Sequence, residues 1–347
     1  MLGFKAMRKL LLKVLFFIVG ISLILNPLGT LAEKVAPLED WRMRYEQAET
    51  NLTEKNEQIE AITLGNSHAD AIDYSVLGAD GQSMALAAAD FFEIEKIVVS
   101  LDEKLPHLNT VFIAISPYSF SRDNAKFKSL QSRRISFYSI FPVWSPIEGD
   151  LPNFIMGKVD SYTRVMDVVR SDSWKGVWPR ILADMPPPDP YPYDGIRTSS
   201  VWGNCSHYNA EQLDNHAREI ARRNFSSSIQ MANAHPGLEN DAFDALARTI
   251  ERLQSRGVRV ILFTPAYYEK YNAYFMEQGS YIVENMGQMI GRLQQTYKVE
   301  YYDFSQDPLL SIHPELFYNS DHLSECGNKV FTEKLFEAMT AGGNIGP

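Results

Sequence analysis

The sequence predicts an α/β fold, three layers deep around a mostly parallel sheet, with an apolar membrane segment ahead of it and a large irregular insertion within it. Three observations carry this expectation. Short apolar runs recur along the chain, each run ends at a glycine or a proline, and stretches of helical apolar period lie between them.

Taken in order, residues 1–37 read as a signal-anchor or signal peptide. Lys5, Arg8, Lys9 and Lys13 precede the apolar run from Val14 to Leu25, and Thr30-Leu31-Ala32 resembles a small-residue cleavage site. Positive charge on the amino-terminal side predicts that this end stays cytoplasmic and that the remaining chain is extracytoplasmic, anchored or secreted according to cleavage. Residues 38–60 are polar and helix-compatible and read as a stalk or first surface helix. The main domain is expected over 61–341. It opens with a strand at Ala61 to Leu64, a turn at Gly65-Asn66, and helical spacing from Ser83 to Leu105. A β-branched run from Thr110 to Ser116, stopped by Pro117, suits a strand buried on both faces. An amphipathic helix from Leu238 to Arg256 hands over through Gly257 to a strand at Val258 to Thr264. A helix at Tyr281 to Tyr297, a strand at Val299 to Phe304 and a closing helix at Gly327 to Ala341 complete the series.

Between about 121 and 235 the pattern loses regularity and gathers Trp, Tyr and Pro, including the run from Met185 to Tyr193. This reads as an insertion of packed irregular loops, with a lid or a stacking platform for sugars as the alternative. The formal net charge of -10 gives no basic field to steer toward phosphates, so nucleic acid is not an expected partner. The two cysteines, Cys205 and Cys326, have no Cys-x-x-Cys or His-rich companion, so neither a metal nor another cofactor is expected. An oxidising compartment would pair them, but the sequence favours two buried thiols.

A serine hydroxyl needs an imidazole base and a turn that exposes it before it acts as a nucleophile. Ser67 has the turn, in Leu64-Gly65-Asn66-Ser67-His68, directly after a strand. The base is expected from His322, in Phe317-Tyr318-Asn319-Ser320-Asp321-His322, between the last strand and the last helix. His68 either lines the pocket or caps the next helix and receives no catalytic role. The remaining histidines, His216 among them, read as surface or core residues.

These two blocks resemble the SGNH (GDSL-like) hydrolase superfamily, whose first block is Gly-Asp-Ser-like and whose last block sets an acid just before a histidine. The likeness is greatest to its membrane-anchored, extracytoplasmic branch associated with polysaccharide O-acylation, and it spans about Ala61 to Ala341. It implies an SGNH/flavodoxin-like fold and an acyl-enzyme on Ser67, in a serine esterase or O-acetyltransferase acting on an acylated envelope or exported polysaccharide or a small ester, beside a membrane acyl-donor protein in the transferase case. The alternative implied is a binding or assembly protein for envelope glycan that keeps the fold without catalysis.

The resemblance also assigns site residues. Its usual triad acid falls on Asn319, whereas Asp321 adjoins His322 and carries charge, so Asp321 is preferred and Asn319 is the alternative. Gly65 and Asn66 shape the nucleophile turn. The oxyanion amide of the second block falls near Ala88, within Ala87-Ala88-Ala89, or on Gly81. The third block's side-chain donor falls on Ser116 or Tyr118, in place of the superfamily's asparagine.

Overall fold

In a computed structural model, residues 40–86, 88–101, 104–127, 130–163 and 210–342 are described, together with Lys13, Phe16 and Gly20, which are helical. The membrane-segment expectation for 1–37 and the Met185 to Tyr193 run therefore fall outside the described residues. Among those described, no helix is long and apolar enough to cross a membrane. The chain divides into two compact units, residues 1–43 with 128–192, and residues 44–127 with 193–347.

The second unit is α/β. After α1 (Asp40–Glu54) come β1 (Ala61–Gly65), a 3-10 turn (Ser67–Ala71), α2 (Tyr74–Leu77), β2 (Gly81–Ala85), α3 (Phe91–Leu101), β3 (Thr110–Ala114) and a 3-10 turn (Ser119–Ser121). The first unit contributes α4 (Gln131–Ile140) and α5 (Leu151–Thr163), after which the second resumes with α6 (Ala210–Ala234), α7 (Leu238–Ser255), β4 (Arg259–Thr264), α8 (Glu269–Tyr297) and β5 (Glu300–Asp303). It closes with α9 (Pro308–Ser311), a 3-10 turn (Pro314–Leu316), the hairpin of β6 (Phe317–Asn319) and β7 (His322–Leu323), and α10 (Glu325–Thr340).

Five parallel strands pair in the order β2-β1-β3-β4-β5. From β1 the chain steps outward to β2 and then returns to the other side of β1 for β3, so the winding direction reverses between β1 and β3. In open parallel sheets that reversal leaves a crevice at the carboxyl ends of the strands. The central strands β1, β3 and β4 are largely apolar on both faces because both are covered. Phe112, Ala114, Ile261, Phe263 and Tyr302 join a core with Tyr271 and Phe275 of α8 and Phe331 and Leu335 of α10. Ile62, Leu64, Val111, Ile113 and Leu262, which alternate with them, are fully or almost fully buried too. α3 packs on α7, and these helices touch β1 and β4. The arrangement is consistent with three α/β/α layers.

Three local expectations change. The stretch from Ser83 begins as β2, not as a helix, and the helix starts only at Phe91. Parallel pairing with β1 over Gly81 to Ala85 overrides the weak strand propensity of Gly-Gln-Ser-Met-Ala. The helix expected at Tyr281 begins at Glu269 and runs through a non-helical Gly279 (φ -135°, ψ 22°). Where it is described, the insertion carries the helices α4, α5 and α6, with non-helical stretches at 122–127 and 141–150. In α6, Leu213, Ala217, Ile220 and Ala221 form a buried i, i+4, i+7, i+8 stripe, and Asn224 Nδ2 donates to the Tyr271 hydroxyl of α8 at 3.0 Å. In the first unit, the fully buried Arg134 of α4 meets Asp150 at 3.1 Å, and the Tyr138 hydroxyl donates to the same carboxylate oxygen at 3.0 Å.

The turn after β1 is buried, yet it belongs to neither sheet nor α-helix, so its backbone groups need partners from elsewhere. α10 supplies them from one face. Asn328 Nδ2 donates to the Asp70 carbonyl (2.7 Å), and Thr332 Oγ1 accepts from the Asp73 amide (2.9 Å) and donates to the Ala71 carbonyl (3.3 Å). Ser324 caps α10 by accepting from the Gly327 amide (3.2 Å). At Gly327 an added Cβ would lie 2.0 Å from the Leu316 carbonyl oxygen, so only glycine lets the helix start this close to the preceding turn. Replacing Thr332 by Val, which keeps volume and loses the hydroxyl, is expected to lower unfolding free energy by about 1–3 kcal/mol in urea titrations. An unchanged midpoint would show that α10 does not hold the turn.

Candidate active site

The site stands at the carboxyl edge of β1 and β3, where the sheet reverses. Gly65 ends β1 with φ of +141°, and an added Cβ would meet Ala114 Cβ at 3.0 Å and Ala69 Cβ at 3.2 Å. Glycine is needed here on both counts. Asn66 then caps the 3-10 turn, its Oδ1 accepting from the His68 amide at 3.0 Å. Ser67 is the first residue of that turn and stays partly exposed, unlike its neighbours Asn66 and His68, which are buried.

Opposite it lies the β6–β7 hairpin, in which Asn319 pairs directly with His322 across the two-residue turn Ser320-Asp321. That pairing explains why residues three apart in sequence meet in space. His322 Nδ1 is 2.9 Å from Asn319 Oδ1 and 3.1 Å from Asp321 Oδ1. Both acceptors face Nδ1, so Nδ1 carries the proton and Nε2 presents its lone pair. His322 Nε2 is 2.7 Å from Ser67 Oγ. The structure thus brings Ser67, His322, Asp321 and Asn319 into one constellation, with the carboxylate and the amide sharing a single nitrogen.

A second imidazole lies underneath. His68 stacks on His322 with ring centroids 4.6 Å apart and an interplanar angle of 16°. Its Nε2 is 3.7 Å from Asp321 Oδ2, a charge contact longer than a hydrogen bond. Its Nδ1 is 2.7 Å from Ser116 Oγ and 3.0 Å from Asn66 Oδ1, and Asn66 Nδ2 donates to Ser116 Oγ at 2.9 Å. Burial favours the neutral form of His68 and the nearby His322 adds to this, outweighing Asp321, so its pKa is lowered from 6.5. Burial disfavours the Asp321 carboxylate, but the charge and hydrogen bond of His322, with a smaller contribution from His68, outweigh it and hold its pKa well below the ordinary value. Asp321 is therefore ionised at neutral pH.

The other expected residues occupy distinct places. Ser116 is fully buried and held by Asn66 and His68, and Tyr118 is buried with the Arg122 guanidinium 4.9 Å from its ring centre. Burial, partly offset by Arg122, pushes the Tyr118 phenol up to about 12, so it stays protonated. Ala88, partly exposed, follows β2 in a left-handed conformation (φ 61°). The neighbouring Leu86 amide donates to the Gly65 carbonyl at 3.1 Å, which ties this loop to the turn that carries Ser67. Cys326, at the start of α10, is disulfide-bonded rather than a thiol, and the chain's one other cysteine is Cys205.

Two groups escaped the sequence. His216 of α6 has Nδ1 2.8 Å from Ser320 Oγ, and the Tyr268 amide donates to the Ser320 carbonyl at 3.1 Å, so the hairpin turn is held from two sides. Tyr267 stands edge-on to His68 at 5.2 Å. No periodicity or motif marks either residue; only the fold brings them here.

Ligand-type atoms of His68, Asp321 and His322 lie within 4.8 Å of one another, which raises the question of an ion. The rings are nearly parallel and each faces its own carboxylate oxygen. Lone pairs on stacked rings do not converge on one point, as a tetrahedral centre requires. A carboxylate shared between two imidazoles fits this geometry better. No protein-family model and no curated protein matches the chain, so the functional reading rests on the fold and on this site.

Because His68 and His216 have lowered pKa values, burial being the main cause for both, the fold keeps them neutral while the unfolded chain binds protons as pH falls below 6.5. Stability is therefore expected to fall with pH below that value. Asp321, with its lowered pKa, contributes stability that is complete above its ordinary value of 3.8 and is lost as the solution becomes more acidic. In urea titrations at stepped pH, His68→Gln should flatten the decline just below pH 6.5. Parallel curves for parent and variant would refute this assignment.

Proposed function

We propose that the chain is a serine-dependent acyl-ester enzyme, hydrolase or O-acetyltransferase, with Ser67 as nucleophile and His322 as base. One observation carries this reading: the 2.7 Å contact between Ser67 Oγ and a His322 Nε2 whose lone pair is aimed by Asn319 and Asp321 at Nδ1. Ser67 Oγ attacks an ester carbonyl while His322 takes its proton, and the ionised Asp321 stabilises the imidazolium that forms. His322 then returns the proton to the leaving alcohol. Water, or a sugar hydroxyl in the transferase case, next attacks the acyl-enzyme with His322 again as base. The Ser67 amide and the Ala88 amide, on the turn and the loop at this edge, are the backbone donors offered to the oxyanion.

The fine fold proposed is SGNH/flavodoxin-like. The substrate proposed is an acylated envelope or exported polysaccharide or a small ester, reached from an extracytoplasmic position behind a membrane segment at residues 1–37. A membrane acyl-donor protein is the partner of the transferase form. One observation favours the alternative of a non-catalytic glycan-binding module. Ser116, at the place of the third-block donor, is fully buried and occupied by Asn66 and His68.

Hydrolysis of p-nitrophenyl acetate and labelling by a fluorophosphonate separate the two. Catalysis predicts that Ser67→Ala abolishes both signals, and that His322→Ala lowers kcat by about 10²–10⁴-fold. Asp321→Asn should cost more than Asn319→Ala, because only Asp321 brings charge to the imidazolium. Equal labelling of parent and Ser67→Ala would leave the binding module.

A further inference from the structure

The stacked imidazole has its own hydrogen-bond logic. Asn66 Nδ2 carries hydrogens only and donates to Ser116 Oγ (2.9 Å). Ser116 thereby accepts one bond and retains a hydroxyl hydrogen, and its nearest acceptor is His68 Nδ1 at 2.7 Å. His68 is neutral through burial, with one ring proton to place. If Nδ1 accepts from Ser116, that proton sits on Nε2, toward Asp321 Oδ2 at 3.7 Å. The opposite tautomer would give Nδ1–H to Asn66 Oδ1 (3.0 Å) and turn the Nε2 lone pair on a carboxylate that is itself 5% exposed. At such burial a full negative charge outweighs an amide dipole, so the Nε2–H form is favoured. His68 Nε2 makes no hydrogen bond, and the Asp321 carboxylate oxygen at 3.7 Å is its charge partner.

We infer that His68 is a positioning residue, set in its Nε2–H tautomer by Asn66 and Ser116, that holds Asp321 Oδ2 so that Oδ1 stays on His322. The links then run from Asn66 through Ser116, His68, Asp321 and His322 to Ser67, and the two ends of the series are neighbours in sequence. On this assignment Ser116 contributes no oxyanion donor. It orients the acid through His68. The role in turnover rests on the serine-enzyme reading above, whereas the tautomer does not.

The full-length chain labelled with 15N in histidine reports the tautomer through long-range proton–nitrogen correlations, with His68→Gln assigning the His68 signals. A protonated Nε2 and an acceptor Nδ1 are expected at neutral pH, and a protonated Nδ1 would overturn the inference. In turnover of p-nitrophenyl acetate, His68→Leu, which has no donor, should lower kcat by roughly tenfold at unchanged KM. His68→Gln places an amide donor near the Nε2 position and should recover most of that loss. Equal losses in the two variants, or none in His68→Leu, would reject the positioning role. A parent that neither turns over ester nor takes the fluorophosphonate would sink the enzyme reading alone and leave the tautomer result standing.

Discussion

A buried stretch of backbone that belongs to no sheet has to find its hydrogen bonds somewhere, and here that requirement organises the whole edge of the molecule. Leaving β1, the chain runs through residues 66–73, buried throughout except at Ser67. The carbonyls of Asp70 and Ala71 and the amide of Asp73 are met by Asn328 and Thr332, one turn apart on α10. Docking α10 there fixes the β6–β7 hairpin immediately before it. Satisfying that backbone, together with the hold of His216 and the Tyr268 amide on Ser320, brings the two distant segments of the Ser67–His322 contact together.

Electrostatics completes what packing begins. Asp321 is buried, which alone would favour its neutral form, yet each of its oxygens faces an imidazole nitrogen. The pair of rings offsets the loss of water. Packing around the pair is aromatic, with Tyr267 edge-on to His68 and Tyr118 tilted beside it. These phenols stay protonated because burial raises both, so they add no competing charge next to Asp321.

Much of this edge was legible in the sequence, and the reason is locality. Gly65-Asn66-Ser67 sits where a strand must turn, and Asp321-His322 sits between a strand and a helix, so neighbouring residues alone betray both. The division of labour between Asn319 and Asp321 was less legible, since it depends on a hairpin register that pairs Asn319 with His322. The Asn66–Ser116–His68 network was invisible. It requires β1 and β3 to be adjacent, a fact of strand order rather than of composition. β2 was hidden for a different reason, because Gly-Gln-Ser-Met-Ala has no β-branched residue and becomes a strand through its pairing with β1. In α6, the regular Leu213, Ala217, Ile220 and Ala221 stripe is obscured by the aromatic and proline-rich stretch that precedes it.

The span between Ser67 and His322 has a consequence for biosynthesis. The hydroxyl emerges early during translation, while its imidazole emerges only after nearly the whole second unit has been made. A polypeptide that stalls, or is cut, anywhere between those two points carries Ser67 without its His322 contact. The Ser67–His322 pair is therefore assembled only on a chain that extends past the last sheet strand and through the hairpin.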